Sequence, residues 1–152
     1  MYQEPMMTDA QAGFLVLFFL ASLIAYLFFL GSLHGALKTV NEDRRAMQPG
    51  MVWINLIPFV NLVWLFFTVV YIGRSLYAEA VSLGMSERGD GLKSIGLAYA
   101  ILTVGSVIPW IGMFIAIPLL VVWIVYWVKV VGYKNRLKSL QSSGRVSGAV
   151  TT

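Results

Sequence analysis

From Ser94 to Val128 the chain carries no charged residue, and from Phe14 to Leu30 only Ser22 and Tyr26 interrupt an apolar run. Uncharged stretches of this length match the hydrocarbon thickness of a bilayer rather than a strand or buried helix of a water-soluble domain. The Leu, Ile, Phe and Val residues between Phe14 and Leu30 together favour membrane insertion by roughly 4 to 8 kcal/mol. Composition agrees, since 59% of the 152 residues are hydrophobic and only 12% are charged, leaving too little polar surface to cover a soluble fold.

The run from Phe14 is read as retained helix, not a signal peptide. Met1 to Gly13 contains no Lys or Arg, the apolar stretch is too long, and the pattern continues through Gly31, Ser32 and Gly35. The absence of cysteine excludes disulfides, thiolate metal sites and a cysteine nucleophile. The net charge of +4 is small, and on a membrane protein it points to anionic headgroups, not nucleic acid.

The expected fold is an all-α integral membrane helical bundle with four transmembrane helices. The spans are placed at about 12–37, 51–73, 92–108 and 111–131, within a single domain 1–140. Lys38 to Gln48 reads as a short polar loop, Pro58 lies inside the second span, and that helix is expected to run into water through Arg74, Tyr77 and Glu79 until Gly84 stops it. Met85 to Lys93 reads as a further loop. A single helix over 94–128 would be about 52 Å long, so a turn is expected at Gly105 to Gly112, around Pro109. The residues 141–152 are rich in Ser, Gly and Thr and read as a flexible tail.

Four spans with both termini inside put Arg74, Arg88, Lys93 and the basic residues from Lys129 to Arg145 on the cytoplasmic side, and Lys38, Arg44 and Arg45 outside. Trp53 and Trp110 then both fall at the outer interface. Three spans give the same charge count but bury Trp110 at mid-bilayer, so four are preferred; both place the C-terminus in the cytoplasm. The stretches WLFFTVVYIG from Trp64 and WIVYWVKVVG from Trp123, each preceded by Ile-Pro, form a weak internal echo.

Two blocks, PGMVWINLIPFVNLVW from Pro49 to Trp64 and IVYWVKVVGYKNRL from Ile124 to Leu137, resemble a family of small bacterial multi-span membrane proteins of unassigned activity. The resemblance implies a multi-pass protein of the bacterial inner membrane and carries over no functional residues.

Few side chains suggest chemistry. His34, the only histidine, could ligate a haem or chlorophyll, or sit as an interfacial histidine bonded to a neighbour. Asn55 and Asn61 flank Pro58 and could satisfy the carbonyl it frees, bond another helix or line a polar path; six residues apart, they should point in different directions. Gly31 with Gly35, Ala21 with Ala25, and Gly96 with Ala100 are small-xxx-small pairs suited to close helix packing. Lys129, Lys134, Arg136 and Lys138 make the emerging fourth helix basic and suited to anionic lipid.

There is no Walker loop, GxSxG, HExxH or paired intramembrane carboxylate, and every Asp and Glu falls in an expected loop, tail or exposed helix end. The expectation is a protein with no enzymatic activity and no cofactor: an accessory or structural subunit packing against other integral membrane proteins and anionic lipids. The alternative is a homo-oligomeric channel or transporter using Asn55, Asn61, Thr103 and Ser106.

Overall fold

The computed structural model describes residues 8–85 and 90–149, with side chains described for 8–85 and 92–143. The described residues form four α-helices and two 3-10 segments, with no strand. Helix α1 is Asp9–Lys38, α2 Val60–Ser82, α3 Asp90–Gly105 and α4 Pro109–Ala149; the 3-10 segments are Glu42–Arg44 and Pro49–Leu56. Helices α1 and α2, and α4 over Pro109–Ser143, are long and apolar enough to cross a membrane, whereas α3 is apolar but shorter.

Local chemistry sets the boundaries. Thr8 and Gln11 form a reciprocal capping box at the start of α1, satisfying two donors that a helix N-terminus leaves free. Pro109 opens α4, where its missing N–H costs nothing. The α3–α4 turn occupies Ser106 to Ile108, within the expected Gly105 to Gly112, and it needs glycine at 112: a Cβ there would fall 2.5 Å from the Ser106 carbonyl oxygen.

The second expected span, Met51 to Gly73, is not one helix. The 3-10 segment ends at Leu56, and the chain reverses through Ile57, Pro58 and Phe59. At Phe59, φ is +65° and ψ −47°, and the Val60 N–H donates to the Pro58 carbonyl at 2.8 Å. This is a γ-turn of the rare strained kind, a conformation that costs a residue with a Cβ about 1–3 kcal/mol.

The reversal decides the topology. The 3-10 segment runs back along α1, with Pro49 beside His34 and Asn55 beside Tyr26. Helix α2 then returns parallel to α1, reaching Asn41 through Glu79. Helix α3 is antiparallel to α2, with Lys93 against Gly73 and Gly96 against Val69. Helix α4 runs parallel to α1, pairing Trp123 with Phe29, Trp127 with Ser32 and Gln141 with Thr39.

The start of α1 and the end of α4 therefore lie at opposite ends of the bundle, which corrects the expectation that both termini share a side. Lys38, Arg44 and Arg45 sit at the same end as Arg74, Lys93 and the basic residues of α4. They were expected on the opposite face because the passage back through the 3-10 segment was not foreseen. Trp53 and Trp110 do not share an end either: Trp53 lies 6.1 Å from His34, whereas Trp110 lies at the α3–α4 tip.

The C-terminal residues also differ from expectation. Helix α4 continues through Ala149 across most of the predicted flexible tail, and at its start Gln141 is tied to Thr39 and Glu79; residues 150–152 lie outside the described residues, as do Arg88 and the centre of the predicted 85–93 loop.

The core lies toward the basic end. Phe29 is fully buried, with rings of Tyr99, Trp123, Tyr126 and Trp127 meeting it edge-on at 5.6 to 6.2 Å, the arrangement aromatic quadrupoles favour. Gly96 lets α3 approach its neighbours closely: a Cβ there would lie 2.8 Å from Val69 Cβ and 3.0 Å from Tyr126 Cε2. Gly132 has nothing within 4 Å. Gly96→Ala is therefore expected to destabilise the bundle by about 1–3 kcal/mol through overpacking, while Gly132→Ala leaves it unchanged or raises it; thermal midpoints in one mild detergent check the pair.

Candidate functional site: a polar break and a buried carboxylate

The reversal at Pro58 gathers polar groups that a straight helix would have scattered. Asn55 is buried, and its Nδ2 donates to the Val52 carbonyl at 2.9 Å and to Thr68 Oγ1 at 3.0 Å. Thr68 passes its own proton to the Trp64 carbonyl, and Trp64 Nε1 donates to the Met51 carbonyl. From α1, the Tyr26 hydroxyl reaches the Asn55 carbonyl at 3.2 Å and Asn61 Oδ1 at 3.4 Å. The backbone carbonyl of Asn55 and the side chain of Asn61 thus meet at one hydroxyl, while the Asn55 amide turns to Val52 and Thr68, so the two side chains have different partners.

The repair around proline also runs differently. The Ile54 carbonyl is taken by the Ile57 N–H through a 3-10 bond, and the Asn55 amide serves Val52 instead. Thr103 and Ser106 bond back to carbonyls within α3, those of Tyr99 and Thr103. Deeper in the bundle, Asn55 Oδ1, Trp123 Nε1 and the Tyr126 hydroxyl are buried without a hydrogen-bond partner. Such groups are expensive in an apolar interior.

His34 is half-buried at the basic half of α1. Its Nδ1 lies 3.0 Å from the Pro49 carbonyl oxygen, which fixes Nδ1 as the protonated nitrogen, since a carbonyl can only accept. The bond pins the start of the 3-10 segment to α1. Among the described residues no three His, Asp or Glu side chains gather as a metal site would require.

The feature that sequence reasoning placed wrongly is Glu79. Expected on an exposed helix end, it is only 4% exposed. Its Oε2 accepts from the Asn41 backbone N–H at 3.1 Å and lies 3.5 Å from Arg44 Nη1, while Oε1 accepts from Gln141 Nε2 at 3.1 Å. Gln141 Nε2 also donates to the Thr39 carbonyl at 3.0 Å. One carboxylate therefore joins the α1–α2 loop, α2 and α4, and closes one wall of a cleft lined also by Lys38, Arg45 and Leu140. Spacing held a clue: Glu79 continues the buried face of Thr68, Ile72, Ser75 and Leu76 at helical intervals.

The small-residue pairs divide. Gly96 and Ala100 are buried against α2 and α4. Ala21 is exposed, Ala25 half-buried, and Gly31 has nothing within 4 Å of where a Cβ would sit. Gly35 meets a side chain, Lys134 Nζ at 3.0 Å, and no helix backbone. Of the basic residues of α4, Lys129, Arg136 and Lys138 are exposed, and Lys134 is half-buried against α1.

These features define an all-helical protein with three helices long and apolar enough to span a membrane. A scan against protein-family models and searches of curated proteins and of solved structures found no match.

Removing the Glu79 carboxylate leaves the Asn41 N–H and the Gln141 amide without their acceptor, a loss of about 1–3 kcal/mol. Glu79→Ala should speed amide hydrogen exchange across Thr39 to Gln48 and around Gln141 while leaving the Tyr26 to Asn55 region unchanged. Glu79→Gln, which keeps an acceptor oxygen, should recover part of the protection.

Proposed function

We propose that the chain is a noncatalytic subunit of the bacterial inner membrane that packs against other transmembrane proteins. The observation that carries this reading is the first half of α1. Every residue from Thr8 to Ile24 is exposed, including Phe14, Phe18, Phe19, Leu20 and the small residue Ala21. A continuous apolar surface of this size marks contact with lipid or protein.

The reading includes an orientation. Lys and Arg are enriched on cytoplasmic loops, and the end bearing Lys38, Arg44, Arg45, Arg74, Lys93 and Lys129 to Lys138 is the basic one; no Lys or Arg occurs toward the other, where α1 starts at Asp9 and α4 at Pro109. We place the basic end and the C-terminus in the cytoplasm and the N-terminus outside. Helices α1, α2 and α4 enter the apolar core of the membrane, and the Pro49–Leu56 segment, about 16 Å long at about 2 Å per residue, dips into it from the basic end. Its backbone is tolerated there because α1 and α2 pack against it. The channel alternative draws less support, because Asn55 and Asn61 are turned to Tyr26 and Thr68 while Thr103 and Ser106 bond within α3.

Since the chain has no cysteine, introduced ones report cleanly. On intact cells a membrane-impermeant maleimide should label Thr8→Cys, and should label Ser142→Cys only after lysis; Thr8 and Ser142 labelling from one side would sink the orientation. For the subunit reading, the protein extracted from its native membrane in mild detergent should carry unlike transmembrane proteins in fixed stoichiometry, and Phe14→Ser with Phe18→Ser should release them. A lone symmetric oligomer would favour a channel or transporter instead.

A further inference from the structure

Between α1 and α4 lies a groove of about 450 Å³ lined by Ile24, Leu27, Phe28, Gly31, Ser32 and Lys134. Its floor is apolar except at one end. There Lys134 lies across Gly35, its Nζ 3.0 Å from the position a Cβ would take. Among the described residues no carboxylate pairs with Lys134. From Gly35 to Ile24 the groove follows α1 for about 16 Å at 1.5 Å per residue, close to half of a hydrocarbon core of about 30 Å.

Ser32 does not compete for the cation, because its hydroxyl donates to the Phe28 carbonyl and accepts from Trp127 Nε1 at 2.9 Å. The groove therefore offers one unpaired cation at the headgroup end and an apolar channel one leaflet deep below it. Gly31 keeps that channel open, since the backbone there carries no side chain.

We propose that this groove holds one anionic phospholipid, its phosphate on Lys134 and one acyl chain along Gly31, Phe28, Leu27 and Ile24. Charge complementarity and leaflet-length depth select this occupant over a second protein helix, to which a buried unpaired lysine would be costly. The glycine pair that resembles a helix-packing motif acts here as the floor of a lipid site. The proposal rests on the membrane location argued above, and not on the existence of protein partners.

The test uses the full chain in mild detergent with added phosphatidylglycerol, phosphatidylcholine or inorganic phosphate, read by native mass spectrometry and thermal midpoint. Phosphatidylglycerol should stay bound and raise the midpoint, and the other two should not. Lys134→Gln should bind it about fivefold more weakly, the loss expected from one cation worth about 1 kcal/mol at a membrane surface. Lys129→Gln, on another face of α4, should bind like the parent. Gly31→Leu has room to fold yet fills the groove, and should also lose the lipid.

Equal losses for Lys134→Gln and Lys129→Gln would overturn the site in favour of general adsorption to a basic surface. A midpoint shift reproduced by inorganic phosphate would do so by showing an anion site with no chain in the groove, and unaltered binding by Gly31→Leu would do the same. Disulfide-linked dimers of Gly31→Cys in vesicles, formed at the expense of phosphatidylglycerol, would assign the groove to a second copy. Release of the protein from membranes by alkaline carbonate would instead refute the membrane location itself, a result distinct from all of these.

Discussion

The γ-turn at Pro58 to Val60 is the constraint on which the rest of the structure depends. A proline within an apolar run removes one donor and clashes with the preceding turn. In a medium without water the freed carbonyls must find partners inside the protein. Here the chain resolves the conflict by reversing direction, with the Val60 N–H closing onto the Pro58 carbonyl and Tyr26 capping the Asn55 carbonyl from α1. Against the strain at Phe59 stands the apolar burial of Val52 on the returning segment. Because of this reversal α1, α2 and α4 run parallel, and every described cation gathers at one end.

Packing near that end uses two devices suited to an environment where lipid tails compete equally with apolar side chains. One is close backbone approach at Gly96 and Gly73, where Val69, Tyr126 and Lys93 fill the space a Cβ would take. The other is the ring cluster around Phe29, whose edge-on contacts give geometry as well as area. Trp127 ties this cluster to Ser32 by a hydrogen bond. At the opposite end the helices present Phe14, Phe18, Trp110 and Phe114 outward.

Glu79 and Lys134 show how the same end separates structure from binding. Glu79 is surrounded by donors from Asn41, Arg44 and Gln141, which occupy both of its oxygens, so its charge serves the joint between the α1–α2 loop and α4. Lys134 lies only two turns before Gln141 on the same helix, yet it faces an apolar groove, and among the described residues no carboxylate pairs with it. A satisfied carboxylate and an unsatisfied ammonium thus stand close together, and only the second is open to a ligand.

Much of the architecture was legible from the residues alone. Uncharged runs determined that the chain is helical and apolar enough to cross a membrane, since no other backbone arrangement of that length satisfies its own hydrogen bonds in lipid. Pro109 among glycines located the α3–α4 turn, because proline ends a helix locally. Tertiary structure decided what depends on contacts between distant residues. Proline marks a break in either case, and that the chain reverses at Pro58 shows only in the contacts of the 3-10 segment with α1 and α2; the side on which Lys38, Arg44 and Arg45 lie followed from that. Composition marked Gln141 onward as a flexible tail, whereas Gln141 itself is bonded to Thr39 and Glu79 at the end of the bundle. Gly31 and Gly35 read as a packing pair from spacing alone; only the fold revealed that a lysine, and no helix, lies across them, because periodicity specifies a face and not what covers it.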